Sequence, residues 1–127
     1  MYELINFSGH TDDRGSLAAI NELPFSVNRI FILDINERSS YRGNHAHKEL
    51  KELLIPITGS FSITLEDNKR NKITTHCTNS NQGILIYPHL WRTLYNFAEP
   101  TKILSLCSHA YDDEDYIRNW EEFINDK

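Results

Sequence analysis

Residues 60–77 read SFSITLEDNKRNKITTHC. Phe61, Ile63 and Leu65 alternate with Ser62, Thr64 and Glu66, the two-residue period of a strand with one face in a core. DNKRN (67–71) is a polar turn, and NKITTHC (71–77) runs back as a second strand. Gly59 precedes the hairpin where a tight turn needs a residue without Cβ. Similar short apolar runs recur about every ten residues, the spacing of an all-β sandwich or barrel. They are YELINF (2–7), GSLAAIN (15–21), VNRIFILDI (27–35), KELLIPI (51–57), GILIYP (83–88), TLYNF (93–97) and TKILSLC (101–107). Only the ending reads as helix: in DEDYIRNWEEFIN (113–125), Tyr116, Trp120, Phe123 and Ile124 recur at three- and four-residue spacing. The expectation is an all-β jelly-roll barrel with a short C-terminal helix.

The 127 residues suit one domain, 1–127, without linker, repeat or low-complexity segment. A net charge of −5 argues against a nucleic-acid binder, which needs a basic face. Cys77 and Cys107 have neither metal-type spacing nor the makings of a disulfide framework, so they read as buried thiols in a reducing cytoplasm. The start, MYELINFSGHTDD, lacks a basic region followed by an apolar run, and no apolar stretch has the length of a membrane span.

The chemistry concentrates in RGNHAHK (42–48). On a strand, His45 and His47 project to one face and Ala46 to the other. Glu52 follows His47 after four residues, and Gly59 follows Glu52 after six. This HxHx4Ex6G pattern resembles the first signature of the cupin superfamily. In metal-binding cupins the two histidines and the glutamate are ligands, so His45, His47 and Glu52 form a candidate open metal site. The second cupin signature is incomplete. Gly83 and Pro88 are separated by four residues where five belong, and Leu90 and Thr93 stand where a glycine and a fourth ligand belong.

RGNHAHK, TGSFSITLED, YPHLWR and the ending HAYDDEDYIRNWEEF occur in this order, with DRGSLAAI (13–20) before them. Together they resemble the sugar 3,4-ketoisomerases, also called WxcM-like or FdtA-like cupins, over nearly the whole chain. The resemblance implies a cytoplasmic homodimer of jelly-roll subunits, with exchanged N-terminal strands as one arrangement of it. It implies an isomerase that moves the carbonyl of dTDP-4-keto-6-deoxyglucose from C4 to C3. Such products feed deoxyamino sugars of lipopolysaccharide O-antigens. It implies no metal and no cofactor, and it makes His45 and His47 the catalytic pair.

The residue types suit that chemistry. Ketoisomerisation removes a proton beside a carbonyl, passes through an enediol and reprotonates the neighbouring carbon, work for a base and a donor near neutral pH. We assign His47 as base at C3 and His45 as its partner. Arg42 is a candidate for enediolate or diphosphate contact. Two features depart from the family. Glu52 stands where a glutamine is common. Leu33 stands fourteen residues before His47, where a strand tyrosine is common, leaving Tyr41 as the candidate replacement.

Further candidates for substrate contact are Trp91 and Arg92 after Pro88, Arg29 at the start of a strand, Tyr87, and Arg14, which exchanged strands would bring to a partner's pocket. Each has a plain alternative as a packing or solvated residue. The acidic cluster with Asp112, Asp113 and Asp115 reads as the start of the terminal helix. A metal-dependent cupin and a non-catalytic nucleotide-sugar binding module stay open beside the isomerase. The product's C4 configuration and the preferred base are not written in these residues.

Overall fold

The structure, a computed structural model, describes residues 1–37, 40–78, 81–98 and 100–126. Two five-stranded antiparallel sheets lie face to face. The first has the order β1 (Tyr2–Asn6), β9 (Gln82–Ile86), β6 (Glu52–Thr58), β11 (Thr101–Cys107), β4 (Arg29–Ile35). The second has the order β12 (Tyr116–Ile117), β5 (Arg42–His47), β10 (Trp91–Tyr95), β7 (Phe61–Glu66), β8 (Lys72–Cys77). From β4 onward the chain passes back and forth between the sheets, the winding of a jelly roll. The sheets share no hydrogen-bonded strand pair among the described residues, so the expected barrel is a flattened sandwich. β2 (Ser8–Asp12) and β3 (Gly15–Ala19) pair only with each other.

The alternating pattern of 60–77 becomes the β7–β8 hairpin, with Phe61 opposite Cys77 and Glu66 opposite Lys72. Phe61, Ile63 and Leu65 enter the core between the sheets, where they meet Leu54, Ile84, Ile86, Leu94 and Ile103. Each such side chain, fully buried, contributes ~1.5–3 kcal/mol. Gly59 turns the chain at φ 76°, and a Cβ there would lie 2.5 Å from the Pro100 carbonyl oxygen. A second apolar layer, Leu53, Ile55, Leu85 and Leu106, lies on the outer face of the first sheet, packed against Ile5 of β1 and against Phe7, Phe25 and Val27. Cys77 and Cys107 are buried free thiols. No helix among the described residues is long and apolar enough to cross a membrane.

Three elements differ from the sequence expectation. SGHTD forms β2, an exposed strand with no apolar signal. TLYNF begins two residues early, because Pro88 ends β9 and His89 turns at φ 62°, its amide donating to the His47 carbonyl (2.8 Å). Trp91 and Arg92 therefore open β10 instead of lying in a loop. The terminal helix is also shorter than its periodicity predicts. Asp113–Asp115 make a 3-10 turn, Tyr116 and Ile117 pair with His47 and Ala46 as β12, and only α1 (Trp120–Asn125) is α-helical. The Asn119 side chain accepts from the Glu122 amide and caps α1. Trp120, Phe123 and Ile124 cover Ala46, Ile117 and Trp91 on the outside of the second sheet, whereas Tyr116 points to the histidines.

Candidate active site

β5 carries the site, and its alternation sets the sides. Ala46 is fully buried under α1, while His45 and His47 face inward with ring centroids 4.9 Å apart, edge to face. The strand is bulged. His45 pairs with Arg92, but Gly43 already pairs with Thr93, so Asn44 is an extra residue, at φ 57°. Thr93 Oγ1 donates to the Asn44 side-chain oxygen (3.1 Å) and holds the bulge. In a regular strand, residues three apart face opposite ways. The bulge instead brings Arg42 and His45 to one cavity of about 150 Å³, lined also by Phe31, Leu33, Glu52 and Arg92.

Opposite the histidines, Glu52 and Arg92 form an ion pair buried between the sheets. Arg92 Nη1 donates to Glu52 Oε1 (2.9 Å), Arg92 Nη2 to the Leu90 carbonyl (3.1 Å), and Ser105 Oγ to Glu52 Oε2 (2.5 Å). Burial pushes the Glu52 carboxyl up, but the guanidinium and the Ser105 hydroxyl outweigh it and keep the group ionised. Arg92 is 1% exposed, and its Nε–H has no protein partner. Burial first, and the Arg92 charge second, push His45 down to about 4 and His47 down to about 3, so both imidazoles are neutral at pH 7.

The candidate metal triad does not fit this arrangement. Both Glu52 oxygens are committed to Arg92 and Ser105, and a guanidinium stands beside the imidazoles where a cation would need anionic donors. Among the described residues no group of three His, Cys, Asp or Glu side chains is arranged to hold a metal.

The other predicted residues divide. Arg29 joins the site through Tyr116: its Nη1 donates to the Tyr116 hydroxyl (3.1 Å), and its guanidinium lies 4.7 Å from the Phe31 ring centre. Leu33 lines the cavity. Tyr41 stacks on Tyr95 (5.6 Å) and is 66% exposed. Tyr87 donates to Glu3 (2.8 Å), Trp91 packs edge-on against Trp120 (5.2 Å), and Arg14 pairs with Asp12 in the β2–β3 turn (2.7 Å). These four do not line the cavity in a single chain.

Two neighbours escaped the sequence reading. Asp115 Oδ2 lies 2.9 Å from His47 Nδ1. The Tyr116 ring lies 5.0 Å from His45 and 4.4 Å from His47. Both sit in DEDYIR, whose acidity suggested a helix start. The available signal was the joint occurrence of HAHK and this ending.

The FdtA family, described as "WxcM-like, C-terminal", matches residues 1–127. TDP-4-oxo-6-deoxy-alpha-D-glucose-3,4-oxoisomerase of Aneurinibacillus thermoaerophilus is 34% identical over 125 residues, covering 95% of this chain and 88% of the relative. The solved structure of a histidine-to-asparagine mutant of the 3,4-ketoisomerase QdtA from Thermoanaerobacterium thermosaccharolyticum, in complex with TDP-4-keto-6-deoxyglucose, superposes with a TM-score of 0.93. It is 31% identical, covering 98% of this chain and 91% of that one. A 3,4-ketoisomerase from Helicobacter canadensis superposes with a TM-score of 0.90 at 37% identity, covering 97% and 94%. With a family match over its full length and a strand whose paired histidines face inward, the chain belongs to the FdtA, WxcM-like family of sugar 3,4-ketoisomerases.

Proposed function

We infer that this protein is a sugar 3,4-ketoisomerase acting on a TDP-linked 4-keto-6-deoxyhexose, in the making of deoxyamino sugars. The observation that carries the reading is the pair of neutral imidazoles, 4.9 Å apart on the inner face of β5, of which His45 lines a cavity bordered by two arginines and His47 lies buried behind it. A neutral imidazole accepts a proton from the carbon next to a ketone, and the second serves the adjacent carbon. His47 is the base at C3 and becomes imidazolium. His45 relays that proton to C4, accepting it on one ring nitrogen as it gives up the proton on the other, while the O3 hydroxyl proton passes to O4. Charge develops on the carbonyl oxygen as the enediolate forms. Arg42 and Arg92, which both line the cavity, are the donors we assign to it. The relative captured with TDP-4-keto-6-deoxyglucose is a histidine-to-asparagine variant, which fits a histidine being needed for turnover.

The working form in our reading is a homodimer. Ile30 and Ile32 are 61% and 63% exposed on the outer face of edge strand β4, and the unattached β2–β3 hairpin presents Leu17, 63% exposed. In such a dimer Arg14 comes from a hairpin free to cross to the partner. A reducing cytoplasm fits the two free thiols.

The test is incubation with TDP-4-keto-6-deoxyglucose in D2O, followed by proton NMR. The expected result is a 3-keto product carrying deuterium. His47→Asn is expected to abolish the exchange while TDP still binds. Binding without exchange in the wild-type protein would instead make it a nucleotide-sugar binding module.

A further inference from the structure

Asp115 lies outside the histidine strand, yet its carboxylate is tied to the strand's last residue and to the turn that follows it. Oδ1 accepts the Glu49 amide (2.8 Å), and Oδ2 accepts the more distant Leu50 amide (3.3 Å) and faces His47 Nδ1 (2.9 Å). Its backbone is held as firmly. The Lys48 amide donates to the Asp115 carbonyl (2.9 Å), the Asp115 amide donates to Asp112 (3.1 Å), and the next residue pairs with His47. Both partners are shielded: the His47 side chain is 3% exposed and that of Asp115 12%.

A carboxylate only accepts, so the nitrogen facing it carries the proton. In neutral His47 that places the proton on Nδ1 and the lone pair on Nε2. The ring also packs, tilted, against Tyr116, with ring centres 4.4 Å apart.

We propose that Asp115 is the positioning residue for proton transfer by His47: it selects the Nδ1–H tautomer, fixes the ring and balances the imidazolium formed in the reaction. This rests on the isomerase reading above. In the step concerned, the C–H bond beside the ketone breaks, and its electron pair forms the enediolate, whose charge lies on oxygen. The proton becomes the Nε2–H of His47. Asp115 neither gains nor loses a proton. Its carboxylate, 2.9 Å from Nδ1, faces the imidazolium formed there, a cation that nearby Arg92 opposes.

Asp115→Asn tests this. The amide oxygen keeps the Glu49 amide, and the NH2 group then faces Nδ1. That inverts the tautomer, leaving Nε2 protonated and unable to act as base. The expected result is a fall in kcat of about 10²–10⁴-fold, the contribution general acid–base catalysis typically makes. KM is expected to stay near the wild-type value. Long-range 15N–1H spectra should show His47 as Nδ1–H in the wild-type protein and Nε2–H in the variant. Turnover near the wild-type rate, or an unchanged tautomer, would overturn the proposal. An Nε2–H tautomer in the wild-type protein would do so even if the variant failed to fold. His47→Asn is run in parallel. If it abolishes turnover and Asp115→Asn does not, only the role of Asp115 falls; if His47→Asn is fully active, the proton-transfer reading falls with it.

Discussion

An imidazole buried beside an arginine stays neutral, and this sets the pH response of the fold. His45 and His47 go from an ordinary 6.5 in the unfolded chain to about 4 and about 3 in the folded one. Between these values the unfolded chain binds more protons, so stability is full above pH 6.5 and is lost as pH falls toward 4. The slope is at most about 1.4 kcal/mol per pH unit for each histidine. Melting temperature measured from pH 7.5 to 5 should therefore fall, and a His45→Gln/His47→Gln double variant should give a flatter curve. Parallel curves would mean that the imidazoles are not the groups responsible. At this scale the sequence was legible for the histidines, because alternation alone places residues 45 and 47 together. It was not legible for Glu52. HxHx4Ex6G reads as a metal triad until Arg92, forty residues away, is seen to occupy the carboxylate. The pair also has an energetic consequence. Removing one member of a buried ion pair costs about 3–5 kcal/mol, since the other is left charged without a partner.

The strand as an element explains how Arg42 reaches the same cavity as His45. A single inserted residue at the Asn44 bulge rotates the first half of β5 relative to the second. Gly43 makes this fit. It adopts φ 89°, and a Cβ there would stand 2.8 Å from the Arg92 carbonyl oxygen. Gly43→Ala is therefore expected to push β5 from β10 at the point where His45 and Arg92 pair. A stability loss of ~1–3 kcal/mol follows from the strained backbone. Activity should fall further than stability accounts for, because Arg42 and His45 lose their common orientation. Urea unfolding alongside kcat/KM separates the two effects; an unchanged kcat/KM would show that the bulge has no part in the chemistry. No local pattern in RGNHAHK announces the extra residue, since a bulge is defined by the register of a partner strand. The terminal segment teaches the same lesson. Trp120, Phe123 and Ile124 form the helix face their spacing predicts. Tyr116 belongs to that period in sequence but to the histidines in space, because pairing with β5 overrides local helical preference.

For the molecule as a whole, the recurrence of short alternating runs was enough to give two packed antiparallel sheets, because each run needs a partner for its edges and a core for one face. What such patterns do not encode is which outer surfaces remain uncovered. The outside of the first sheet is covered over Leu53, Ile55 and Leu85 by the N-terminal segment, but the cover stops short of β4. There Ile30 and Ile32 stand exposed on an edge strand, a combination that a soluble monomer rarely tolerates. In the homodimer proposed above, a second copy of the chain would cover the same patch on both subunits, as a two-fold interface does. Sedimentation of the wild-type protein at micromolar concentration should give a dimer, and Ile32→Asp should shift it to monomer while circular dichroism still reports a folded β protein. If Arg14 then completes a partner's site, the monomeric variant loses affinity for TDP along with its dimer. If each subunit is self-sufficient, TDP binding survives dissociation. A wild-type protein that sediments as a monomer would assign the β4 face to some other partner.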